Sequence, residues 1–168
     1  MVKRYFILIV TQVLILFSGC RCSSESGAPN REVVSIKGES FSLELAVDDA
    51  TRTRGLGGRV EIPDEGGMLF VFPDAGQRSF WMYDCETDID LIFLDTVGRI
   101  TALHAMPREA PRGENETEQA YQNRLAHYWS GSPAQFAIEL APGSIARLGL
   151  QVEEKIKLDL PRLKALPR

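Results

Sequence analysis

The chain has 168 residues, 44% of them hydrophobic and 25% charged, with 14 Gly, 9 Pro and 3 Cys. That is room for one domain with a real core, and it excludes a disordered, collagen-like or disulfide-built protein. A formal charge of −4 without a basic stripe argues against nucleic acid as a partner.

The first element is an address. Lys3 and Arg4 precede an apolar run from Tyr5 to Phe17 broken only by Thr11 and Gln12, and Phe17-Ser18-Gly19-Cys20 follows. A basic head, an apolar stretch and small residues before a cut site predict a signal peptide over residues 1–19. The run is shorter than the roughly 20 apolar residues of a membrane-spanning helix. Small residues before Cys20 resemble the lipobox of bacterial lipoproteins, in which the cysteine receives a diacylglyceryl group and becomes the first residue. The alternatives are an ordinary cleaved signal, or an uncleaved anchor with Cys20 incidental. Residues 20–32, rich in Ser, Gly and other turn formers, read as a flexible tether. Cleavage would remove Lys3 and Arg4 and no acid, so the mature charge would move from −4 to −6.

Beyond the tether, Val33–Ile36 and Phe41–Val47 read as strands joined at Lys37-Gly38-Glu39, the second alternating cleanly between apolar and polar residues. Asp48 or Asp49 can cap a helix over Ala50–Leu56 closed by Gly57-Gly58. Strands are predicted over Met68–Phe72, Ser79–Tyr83, Ile89–Leu94 and Arg99–His104, then a long loop over 107–118 and a helix over Glu118–His127. A strand at Gln135–Leu140, a helix at Ser144–Leu150 and a last strand at Lys155–Leu160 complete the domain, and residues 161–168 read as a frayed tail. Short strands with few helices predict a mainly β fold, a sandwich or barrel with two or three short helices.

Several ordered motifs carry a resemblance. Arg54-Gly55-Leu56-Gly57-Gly58-Arg59, GMLFVF, FWM, IDLIFLD with Gly98 after it, and Tyr128-Trp129-Ser130 with Pro133 and the Phe136–Leu140 strand resemble the bacterial and archaeal family of domain of unknown function 192. The resemblance covers about residues 33–160 and implies a compact jelly-roll-like β domain without an established activity. The family often has Met where Gly57 stands, Lys-Asn-Thr at Tyr83-Asp84-Cys85, Pro-Leu-Asp at Asp88-Ile89-Asp90, and a Gly-Asp turn at Glu153-Glu154. Side-chain recognition at those positions would differ here.

Five residues are candidates for ligand binding. Arg54 and Arg59 flank a glycine-bearing turn that can receive a carboxylate or phosphate; the alternative is that one of them locks a buried carboxylate such as Asp90. In a strand, Trp81 points away from Phe80 and Met82, either into a groove or under a second sheet. Asp84, Glu86, Asp88 and Asp90 alternate as calcium-loop ligands do, but Ile89 stands in place of the loop glycine and an apolar strand follows, so a solvated rim is the simpler reading and no metal is expected. Asp90, nearest the apolar run, must find a partner if buried. Cys85 lacks a hydrolase-like setting with His104 or His127, and pairing it with Cys22 would tie down the tether.

The sequence thus predicts a lipid-anchored extracytoplasmic β domain without a cofactor. Cys20 would carry the lipid, and a small ligand or envelope component would meet Arg54, Arg59, Trp81, Asp84 and Asp90. The competing reading is a hydrolase or lyase of envelope polymers, using Asp90 and a second carboxylate as acid and base.

Overall fold

The computed structural model describes residues 30–166. Strands β1 (Arg31–Ile36) and β2 (Glu39–Ala46) form a hairpin because Val34 and Ile36 share an apolar face with Phe41, Leu43 and Leu45. Helix α1 (Asp49–Arg54) follows, its Asp48 carboxylate accepting the Thr51 N–H at 2.8 Å. After a long connection, β3 (Met68–Gly76) runs parallel to β2. Next come β4 (Ser79–Phe80), β5 (Ile89–Leu94), β6 (Ile100–Met106), α2 (Glu118–Arg124), β7 (Tyr128–Trp129) and β8 (Ala134–Leu140). Two short helices, α3 (Ser144–Leu148) and α4 (Leu160–Lys164), close the chain.

The main sheet has the order β1-β2-β3-β8-β5-β6, with the late strand β8 inserted between β3 and β5 and antiparallel to both. Every residue of β5 and β8 is buried, because both faces of the sheet are covered. On one face Leu69, Phe136, Ile138 and Ile92 meet Leu148, Leu150, Ile156 and Leu163 from α3, the C-terminal segment and α4. On the other, Phe70, Phe93 and Ala137 meet Leu56, Ile62 and Met82, with Phe80 and Tyr128 of the two-stranded β4–β7 sheet alongside. The fold is mainly β and sandwich-like, and the six-stranded sheet is not closed into a barrel.

Several local expectations need correction. The helix after β2 ends at Arg54 with Gly55 as its cap, not at Gly57-Gly58, and β3 runs on through Pro73 to Gly76. The strand expected over Ser79–Tyr83 keeps only Ser79 and Phe80, because its partner β7 is two residues long. Lys155–Leu160 forms no strand; a lone bridge from Arg99 to Lys155 stands in its place. Residues 160–164 are helical and bury Leu163, so the frayed-tail reading fails there and the described residues hold four helices. β1 starts at Arg31, two residues inside the expected tether. The expected signal, Cys20 and Cys22 lie outside the described residues.

Candidate functional site

A cleft of about 380 Å³ opens where the turn after α1 faces the segment from β4 toward β5, on the sheet face that carries Phe70 and Phe93. Glu139 lines it. Strand alternation puts Gln135, Ala137 and Glu139 on this face, and the pairing places Glu139 between Met68 and Leu91. Its carboxyl is buried at 5% exposure. Its single hydrogen bond among the described residues comes from the Leu56 N–H, at 3.2 Å. Burial pushes its pKa up to about 7, against the smaller opposing effects of that N–H and the charge of Arg59.

Two glycines make room for Glu139. A Cβ on Gly55 would stand 3.2 Å from the carboxyl, and the left-handed backbone there (φ 54°) resists a side chain anyway. A Cβ on Gly67 would come within 2.2 Å of the Glu139 carbonyl, so any other residue would push β3 away from β8.

Three arginines line the same cleft: Arg52, Arg54 and Arg78. Arg52 is engaged through both Nη atoms, donating to the Val47 and Val71 carbonyls and pairing with Asp49. Arg78 donates through Nη2 to the Asp74 carboxylate at 2.6 Å, and its guanidinium lies 4.3 Å from the Phe72 ring centroid. Its Nε is buried without a hydrogen-bond partner. An orphan buried donor of this kind costs about 1–3 kcal/mol. Arg54 is exposed, and its side chain has no hydrogen bond or ion pair among the described residues.

Of the five predicted site residues, the structure brings Arg54 and Trp81 to this cleft. The Trp81 ring lies between Tyr83 at 5.6 Å and His127 at 5.5 Å, and His127 in turn stacks on Trp129, which is 53% exposed. Arg59 does form the lock that sequence suggested, but with Glu44 and not with Asp90: its two Nη atoms reach the two carboxylate oxygens at 2.8 and 2.7 Å. Arg31 adds a third bond to Glu44 at 2.9 Å, and hydrogen bonding from Arg59 holds the Glu44 carboxyl below its ordinary pKa.

Asp90 lies away from the cleft. At 3% exposure it accepts the Ile145 N–H at 2.7 Å. Helix α3 starts from Gly143 and has no side-chain cap of its own, so Asp90 supplies one from a distant strand. Asp84 is exposed beside α2, its N–H donating to the Tyr121 hydroxyl at 3.0 Å. Asp88 accepts the Arg108 N–H at 2.7 Å, and among the described residues no group of three or more His, Cys, Asp or Glu is placed to hold a metal. Cys85 is a free thiol lining the cleft, its pKa pushed up to about 12 by burial and by the nearby Glu139 and Asp84 charges. At that value it is no nucleophile.

Sequence reasoning missed Glu139, Arg78 and Arg52. Glu139 had a signal, a lone charge inside an otherwise apolar strand; Arg78 sits in a turn that gave none.

The fold is a mixed β sheet covered on both faces, with a polar cleft on one of them. The chain belongs to DUF192, described as "Uncharacterized ACR, COG1430", whose model matches residues 32–158. No protein of curated function matches it. Among solved structures it is similar to a protein of unknown function from Novosphingobium aromaticivorans DSM 12444, with 26% identity and a TM-score of 0.60, covering 83% of this chain and 99% of that one. It is also similar to a candidate transcription regulator from Sinorhizobium meliloti 1021, with 26% identity and a TM-score of 0.59, covering 76% of this chain and 89% of that one.

Proposed function

We propose that this protein is an extracytoplasmic, lipid-anchored module that binds a small ligand in the Glu139 cleft. The location rests on the basic–apolar–small pattern ending at Cys20. The binding role rests on one observation above all: a buried carboxyl with open acceptor positions faces an accessible cleft and, among the described residues, meets no side-chain cation by hydrogen bond. A fold without a ligand gains nothing from burying such a group, which costs free energy unless hydrogen-bonded. The cleft volume falls within the range of small-molecule sites. Asp90, the acid of the alternative hydrolase reading, is committed to α3 and does not face the cleft.

The test is native mass spectrometry of the protein purified from its own cell envelope, compared with a Thr53→Trp variant. Thr53 is exposed and lines the cleft, so the indole fills the space without disturbing the core. The expected result is a small-molecule adduct on the parent and its loss from the variant, with equal melting temperatures. No adduct on the parent, or equal adducts on both, would overturn the reading.

A further inference from the structure

The cleft's chemistry narrows the ligand. Resting on the binding reading above, we infer that the ligand is a hydroxylated monocarboxylate of single-sugar size, its carboxylate held by Arg54 and Arg78 and a hydroxyl donated to Glu139.

The anion follows from the arginines. Arg52 has both Nη atoms engaged on two carbonyls and Asp49, whereas the Arg54 guanidinium is uncommitted among the described residues and Arg78 bonds Asp74 through Nη2 alone, leaving its Nη1 without a hydrogen bond among them. Guanidinium groups with spare donors at one cleft match an oxyanion with two acceptor oxygens. Glu139 then selects the kind of anion. A phosphate monoester carries close to two charges and would be repelled by a carboxylate in the same small cleft, so a single carboxylate suits it better.

Glu139 also demands a donor. Its carboxyl takes one N–H from Leu56, leaving other acceptor positions open. An ammonium donor would have to sit among three arginines, whereas a hydroxyl carries no such penalty.

The aromatic residues exclude the other obvious class, an aromatic acid. Stacking needs a free ring face. Trp81 is flanked by Tyr83 and His127, and the Phe72 ring is covered by the Arg78 guanidinium. Phe80 is held edge-on against Phe70, Phe72 and Phe93. These rings wall the cleft and are committed to one another. About 380 Å³ suits one sugar unit and not a polymer chain.

Titration calorimetry at pH 8, where Glu139 is ionised, and at millimolar ligand tests this with four probes: D-glucuronate, D-glucose, glucose 6-phosphate and benzoate. D-glucuronate should bind at least about tenfold more tightly than each of the others. Arg54→Ala should weaken D-glucuronate by about tenfold while leaving the melting temperature unchanged, because the Arg54 side chain is exposed and makes no bond among the described residues. Glu139→Gln, which can no longer accept as a charged group, should weaken it by about threefold or more. Benzoate or glucose 6-phosphate binding as tightly as D-glucuronate, an unchanged affinity in Arg54→Ala, or no D-glucuronate binding at all would each overturn the inference. Should it fall while the envelope-derived adduct is still lost in Thr53→Trp, the cleft remains a binding site for a ligand of another class.

Discussion

Glu139 is the residue at which structure and solution behaviour meet most directly. Burial pushes the pKa of its carboxyl in the folded chain up to about 7, against an ordinary value of 4.5. Between those values the folded form keeps its proton while the unfolded form has lost it. The stability this contributes is therefore complete below about pH 4.5 and is lost as pH rises toward 7. A shift of this size corresponds to something on the order of 3 kcal/mol. Glutamine cannot ionise and its amide oxygen can still accept the Leu56 N–H. Urea unfolding of Glu139→Gln and parent at pH 4.5 and pH 8 should show the variant gaining on the parent by roughly 2–4 kcal/mol over that interval. Equal pH dependence in the two proteins would mean that the carboxyl titrates normally in the folded chain. Other titrating groups, such as Glu44 under Arg59, are common to both proteins and cancel in the difference.

The C-terminal helix shows how an element can hide in a sequence. Pro161 marks a break when read as a helix interior, but in the first turn a proline loses no hydrogen bond. Asp159 caps that turn by accepting the Arg162 N–H, and Leu163 is fully buried against the sheet. A frayed tail and a docked helix make opposite demands on Leu163. Leu163→Ala should cost about 2–4 kcal/mol in chemical unfolding if the helix is docked, and a loss under about 0.5 kcal/mol would mark it as frayed. The strands of the main sheet were legible because period-two alternation, or an unbroken apolar run, is local information. The partners that the candidate residues and Glu139 find are not local. Arg59 finds Glu44 across 15 positions, Asp90 finds Ile145 across 55, and Leu56 finds Glu139 across 83. Each residue could be seen as needing a partner, but only the order of the strands selects which one.

At the scale of the whole molecule, charge and anchoring have to be reconciled. No helix among the described residues is long and apolar enough to cross a membrane. Without residues 1–19 the formal charge would move from −4 to −6, and a domain so charged gains nothing from an anionic bilayer surface. In the proposed anchoring, membrane association comes from acyl chains on Cys20 and not from electrostatics. Burial of hydrocarbon contributes about 0.8 kcal/mol per CH₂, and two or more chains hold a protein stably where one does not. This makes two expected outcomes in fractionated cells. The parent should stay with membranes through a high-salt wash, since salt screens charges and leaves hydrocarbon burial intact. Cys20→Ala should appear in the soluble fraction with an unchanged melting temperature, because Cys20 precedes β1, which begins at Arg31, in the sequence. A parent released by salt would assign the attachment to charge, and a Cys20→Ala variant retained on membranes after signal cleavage would assign it to the folded domain; either result removes the lipid anchor and leaves the cleft as the reading that stands.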